Sequence, residues 1–200
     1  MYRIHISLIH LHPSQLSTIH ILYTGIVVVD EAYIDFAPSN STACNLIDKY
    51  PNLIILQTLS KAFGLAGIRL GAAFANANII QIMNNVKAPY SINKLTIEVA
   101  SAAITNLTLF ETNKQNILTE RTYLIDKLSK LTHIVKYIYH TDSNSILFVV
   151  SKALEIYKIM ADRGIVVRFR SVYIVVCICI YVYIVVCIKY DVFTVFIYGI

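Results

Sequence analysis

The stretch "NLIILQTLSKAFGLAGIRLG", Asn52 to Gly71, changes character half-way. Asn52 to Thr58 is a mostly apolar run of the kind that forms a strand buried on both faces. After it, Lys61 and Arg69 stand among small and apolar residues, where cations are rarely buried without a partner. Upstream, "IVVV" (Ile26 to Val29) is a second, β-branched apolar run, and it ends in "DEAYIDFAP". Between the runs, Ser41 to Tyr50 suits a short helix, with Ser39 or Ser41 as cap and Pro51 beyond its end. Strand, helix, strand is the crossover unit of a parallel sheet. Ligands of such sheets bind beyond the carboxyl ends of the strands, and both Asp30 to Tyr33 and Thr58 to Arg69 fall there.

Two hundred residues suit one domain or a little more. Only 14% are charged and 56% are hydrophobic, against roughly a quarter charged in an ordinary globular chain. That excludes a disordered chain. The net charge of +5 is scattered, so no nucleic-acid partner is expected, because such binding needs clustered basic residues. Cys44 stands apart from Cys177, Cys179 and Cys187, which is neither a disulfide framework nor a zinc spacing. A reducing, cytoplasmic setting is expected.

Around these runs the chain divides into four parts. Residues 1–25 hold four of the six histidines. His10 and His12 would share one face of a strand, but no carboxylate or cysteine joins them, so no metal site is expected. Residues 26–105 carry the crossover pattern, "GAAFA" as a further strand, and helices over Ala77–Val86 and Asn93–Thr105. Residues 106–171 read as an α+β segment: an amphipathic helix over Glu111–Leu131 with Ile117, Leu124, Leu128 and Leu131 at helical spacing, then "HIVKYIY", "SILFVV", a helix over Lys152–Arg163 and "GIVVRF". Residues 172–200 are a hydrophobic tail in which "YIVVCI" occurs twice, at Tyr173 and Tyr183. Its seventeen uncharged residues, Val172 to Ile188, sit at the lower limit for a membrane span and read equally as an aggregation-prone β segment.

The residue types at the strand ends suit one chemistry in particular. A lysine at such a junction, with hydroxyls at Thr58 and Ser60 and a guanidinium at Arg69, can form an imine while its neighbours hold a phosphate. Pyridoxal phosphate needs a Schiff-base lysine, a phosphate cup and an acid for its ring nitrogen. Asp30 is the natural acid, and Tyr33 is placed to donate to the ring oxygen. On spacing alone an equal alternative stands: Lys61 and Arg69 flank a Gly-containing surface turn, and Asp30 and Glu31 cap the next helix.

The stretches "VVVDEAYIDFAP", "TLSKAFGLAGIRLGAAF", "KAPYSIN" and "RGIVVRFRS" resemble the histidinol-phosphate aminotransferases, over about residues 26–171. The resemblance implies an α/β chain, a partial fold-type-I aminotransferase: part of the large parallel-sheet domain and part of the α+β small domain, with ends foreign to the family. It implies pyridoxal phosphate on Lys61, held also by Asp30, Tyr33, Ser60 and Arg69, with Thr58 a further phosphate ligand. It implies Arg168 on the substrate side, histidinol phosphate and 2-oxoglutarate as substrates in histidine biosynthesis, and a homodimer.

The family's "NNPTG"-like stretch, its ring-stacking aromatic and its "LRITVGT"-like strand have no counterpart in the sequence. The chain is therefore expected to be truncated or misannotated and to turn over histidinol phosphate poorly. Three other readings compete: an aromatic amino-acid aminotransferase, a non-catalytic fragment that binds a partner chain, and a protein anchored in a membrane by 172–188. Tyrosines spread throughout that segment count against the last, since interfacial aromatics belong at the ends of a span.

Overall fold

The computed structural model describes residues 25–170 and 173–177. The histidines of the first segment, including His10 and His12, lie outside the described residues, as do Cys179, Cys187, the second "YIVVCI" and the tail beyond 177. The chain forms two compact units that divide between Glu111 and Thr112.

The first unit is built on three strands in the order β1, β2, β3: β1 is Val27–Asp30, β2 is Leu53–Thr58 and β3 is Gly71–Ala75. β1 and β2 run parallel, with Val27 beside Leu53 and Asp30 beside Leu56. β3 returns antiparallel, pairing Thr58 with Gly71, so the sheet is mixed. Side chains alternate across a strand, and here both faces are covered. On one face Val27, Leu53 and Ile55 pack with Ala43, Leu46, Ile47 and Tyr50 of the crossover segment. On the other, Ile54 and Ala73 pack with Ile80, Ile79 and Met83. Those last three lie on helix α1, Ala77–Val86, whose start is capped by Asn76 accepting from the Asn78 N–H. Two-sided burial explains why β2 reads as a continuous apolar run. Helix α2, Lys94–Thr105, begins where Asn93 accepts from the Thr96 N–H at 2.8 Å, and it buries Thr96 and Ala100.

The expected helix over Ser41–Tyr50 is reduced to a single 3-10 turn, Cys44–Leu46, with turns after it. The segment is rich in residues of low helix propensity, Ser41, Thr42, Cys44, Asn45 and Asp48. The Thr42 hydroxyl and the Ala43 N–H both donate to Glu31 at the end of β1.

The second unit holds a four-stranded antiparallel sheet in the order β4, β5, β7, β6. The strands are β4 Val135–Ile138, β5 Ser145–Val150, β6 Arg168–Arg170 and β7 Tyr173–Cys177. Helix α3, Thr108–Ser129, enters this unit and buries Ile117; Asn106 accepts from the Thr108 N–H and starts it three residues ahead of the expected Glu111. Helix α4 is Ala153–Asp162. The sheet buries Ile146, Phe148, Val150 and Ile174. The first "YIVVCI" thus supplies a strand between β5 and β6. Among the described residues no helix is long and apolar enough to cross a membrane.

Candidate active site

Parallel pairing brings the carboxyl ends of β1 and β2 side by side, and the ladder runs one residue further through the Glu31 N–H to the Leu56 carbonyl, 2.7 Å. Asp30 closes β1. Its Oδ1 accepts from the Ala32 N–H at 3.0 Å, an Asx turn that bends the chain out of the sheet. A 3-10 turn, Ile34–Phe36, follows, anchored by Phe36, which is 1% exposed. Tyr33 sits between the two turns.

From β2 the chain enters the lysine loop. The Leu59 N–H donates to the Leu70 carbonyl, the Gly64 N–H to that of Lys61 and the Leu65 N–H to that of Leu59. Gly64 has φ +69°, a conformation glycine adopts without strain. At Gly71 an added Cβ would lie 3.0 Å from the Gln57 carbonyl oxygen, so the hairpin closes on a residue without a side chain. The Thr96 hydroxyl donates to the Ile68 carbonyl at 3.2 Å, and Phe63 stacks on Phe110 with ring centroids 4.2 Å apart. These contacts fix the loop on both sides of Lys61. The lysine amine stands over the Tyr33 ring, 5.1 Å from its centroid, within range of a cation–π contact. Among the described residues it has no carboxylate partner.

Thr58, Ser60 and Arg69 share this loop. Thr58 Oγ1 lies 3.0 Å from Ser60 Oγ and 3.2 Å from the Leu70 carbonyl, and it accepts from the Ser60 N–H at 3.1 Å. Its single proton is spent within the loop. Ser60 keeps its own proton as a donor. Arg69 ends a 3-10 turn, Ala66–Ile68, at φ +55°, an uncommon conformation for a residue with a side chain. One of its N–H groups donates to the Ala66 carbonyl at 3.1 Å, and the side chain is exposed. Arg168 belongs to the second unit, exposed on β6 opposite Val175. The site described here is built wholly within the first.

Sequence alone offers Glu31, beside Asp30, only as a cap for the next helix. Its carboxylate is 6% exposed and accepts three hydrogen bonds: from the Ala43 N–H at 2.6 Å, the Thr42 hydroxyl at 2.8 Å and the Gln57 amide at 2.9 Å. The Gln57 amide also lies 3.7 Å from Cys44 Sγ. Burial pushes the Cys44 thiol pKa up, the Thr42 hydrogen bond opposes this and the Glu31 charge adds to it. The signal in the sequence is a glutamine closing the apolar run of β2, two residues after a strand core that needs no polar group.

The family model for aminotransferases of class I and II matches residues 10–177. The chain belongs to the class I and II aminotransferases. The match reaches past the motif-bearing span, residues 26–171, at both ends. Histidinol-phosphate aminotransferase of Cytophaga hutchinsonii is 42% identical over 149 residues, 74% of this chain and 42% of its own length. That of Parabacteroides distasonis is 46% identical over 149 residues, 74% of this chain and 43% of its own length. The aminotransferase chain thus spans about two-fifths of these relatives.

Among solved structures, histidinol-phosphate aminotransferase of Clostridium acetobutylicum aligns with TM-score 0.76 at 21% identity, covering 84% of this chain and 54% of that one. The Sinorhizobium meliloti enzyme, solved with pyridoxal-5'-phosphate, aligns with TM-score 0.65 at 21% identity, covering 76% of this chain and 44% of that one. A threonine-phosphate decarboxylase of Porphyromonas gingivalis aligns with TM-score 0.72 at 19% identity, covering 84% of this chain and 55% of that one. The fold is therefore that of fold-type-I pyridoxal-phosphate enzymes, and it does not by itself choose the reaction.

The side chains present fit that cofactor. An amine faces a ring in place of a carboxylate. Asp30 uses Oδ1 for the Ala32 N–H and has Oδ2 without a partner among the described residues. Hydroxyl and guanidinium donors sit on the same loop as the amine.

Proposed function

We propose that this aminotransferase carries pyridoxal phosphate on Lys61 and serves amino-group transfer between histidinol phosphate and 2-oxoglutarate in histidine biosynthesis. The observation that carries the reading is the Lys61 amine over the Tyr33 ring at the shared end of β1 and β2. Both relatives named above bear the name histidinol-phosphate aminotransferase, which favours that amino donor over an aromatic amino acid.

When bound, the cofactor supplies an electron sink for the substrate carbon. The chain's own residues do the rest. Asp30, at the strand end, would pair with the ring nitrogen and keep it protonated. Tyr33 donates its phenol to the ring oxygen. Ser60 and Arg69 hold the phosphate, and Thr58 shapes the turn that aims Ser60. Lys61 would hold the cofactor through its amine and would serve as the general base that moves the substrate proton. By family resemblance Arg168 would be a substrate-side arginine. The working form is a cytoplasmic homodimer.

Equilibrium binding of pyridoxal phosphate to the chain and to Asp30→Asn tests this. A hydrogen bond to a charged group contributes about 1.5–3 kcal/mol, so the substitution should weaken binding roughly 10- to 150-fold. Equal affinity for the two proteins, or no binding by the unsubstituted chain, would overturn the reading. Adding histidinol phosphate to the loaded chain should change its absorbance, and an aromatic amino acid should do so less.

A further inference from the structure

Two carboxylates follow one another at the end of β1, and they face opposite ways. Asp30 is half-buried on the side of Leu56 and Thr58; Glu31 is buried on the side of Val29, Ala43 and Gln57. A buried carboxylate is costly unless hydrogen bonds replace its water, and Glu31 has three. Their origins matter. The Thr42 hydroxyl and Ala43 N–H come from the crossover segment, whereas the Gln57 amide comes from β2, immediately before the lysine loop. Oε2 takes both Thr42 and Gln57, so one oxygen joins the crossover to β2.

The backbone ladder alone sets β1 and β2 side by side as far as Glu31. It does not set the direction in which the chain leaves each strand. The Asp30 Asx turn and the Leu59–Leu70 bond turn the chain out of the strands, and the Glu31 carboxylate ties the strand ends together on the opposite face, since successive side chains alternate. Pinning Glu31 and Gln57 on one face holds Asp30 and Thr58 on the other, and Tyr33 follows two residues after Glu31 and Lys61 four after Gln57. We infer that Glu31 is a positioning residue of the cofactor site: its carboxylate clamps the ends of β1 and β2 so that Asp30 and Tyr33 on one strand end stand in register with Lys61 on the other. The Glu31 carboxylate bonds to Thr42, Ala43 and Gln57, and neither to the Lys61 amine nor to the Asp30 carboxylate. The inference rests on the cofactor reading proposed above.

The test uses the full chain, with the affinity for pyridoxal phosphate and the absorbance band of the bound cofactor as readouts. The variants are Glu31→Ala, Glu31→Gln, Gln57→Met and, as a control, Ile47→Ala, which loosens the same crossover segment through apolar packing alone. Each is measured at a temperature where its circular dichroism shows it folded. Glu31→Ala should weaken binding about tenfold or more and shift the band, as expected when buried donors lose their acceptor. Glu31→Gln, which keeps one acceptor oxygen, should recover part of the loss. Gln57→Met should act in the same direction as Glu31→Ala, by less, and decides the matter if Glu31→Ala does not fold. Ile47→Ala should lower the melting temperature and leave affinity and band in place. Wild-type affinity and an unmoved band in Gln57→Met and folded Glu31→Ala would overturn the inference. Failure of the unsubstituted chain to bind would instead overturn the cofactor reading, and this inference with it.

Discussion

The Lys61 amine lies 5.1 Å from the centre of the Tyr33 ring, although the two residues leave different strands. An aromatic face holds the amine without tying it to a carboxylate. Lys94, by contrast, is exposed and paired with Glu98 at 3.8 Å. Incubation with pyridoxal phosphate, borohydride reduction and peptide mapping should therefore place the adduct on Lys61. Lys61→Gln should abolish it. An adduct spread over several lysines would mean non-specific imine formation and would remove the site.

Cys44 offers a reading of the Glu31 clamp that needs no cofactor. Burial raises the thiol pKa above its ordinary value of 9.0, Thr42 lowers it and Glu31 raises it further. Iodoacetamide should therefore modify folded Cys44 more slowly than the same cysteine in urea, at mildly alkaline pH. Glu31→Gln should speed the reaction by removing a negative charge. The linkage has a definite sign. Because the folded value lies above the unfolded one, this group's contribution to stability is full below pH 9.0 and is lost as pH rises through the folded value. A modification rate equal in folded and unfolded chains would contradict the burial.

Strands β1 and β2 were legible because β-branched and leucine-rich runs bounded by polar residues have few other uses. The lysine loop was legible from its residue types, which carry chemistry as well as shape. Glu31 was not, because its role depends on donors eleven, twelve and twenty-six residues away, and no periodicity records such pairings. Ser41–Tyr50 has a helix-like cap and stop but low helix propensity within, and it forms only the 3-10 turn Cys44–Leu46. Tyr173–Cys177 was misleading for another reason. Apolar and rich in β-branched residues, it reads as a membrane span or a β segment alike until its neighbours β5 and β6 are known.

Ile174 tests that last assignment. It is 0% exposed and sits between Phe148 of β5 and Phe169 of β6. Ile174→Ala should cost about 2–5 kcal/mol of stability, as other large-to-small core changes do. Urea unfolding followed by far-ultraviolet circular dichroism measures it. If the segment were instead an anchor outside the folded sheet, the midpoint would not move.

Thr58 and Ser60 carry neighbouring hydroxyls with different duties. The Thr58 proton is taken up by Ser60 Oγ or the Leu70 carbonyl, and its oxygen accepts the Ser60 N–H. Ser60 Oγ, accepting from Thr58, still has a proton to give to a phosphate. Ser60→Ala should therefore weaken pyridoxal-phosphate binding by roughly 2- to 12-fold, the range of one ordinary hydrogen bond, with little change in melting temperature. Thr58→Val should do the reverse in part. It removes the bonds that close the turn and lowers stability by about 1 kcal/mol, and it weakens binding only through the displaced Ser60. Combining the two changes separates the roles: with Ser60 already alanine, Thr58→Val should cost stability and leave the remaining affinity unchanged. A further loss of affinity in the double variant would mean that Thr58 contacts the phosphate directly.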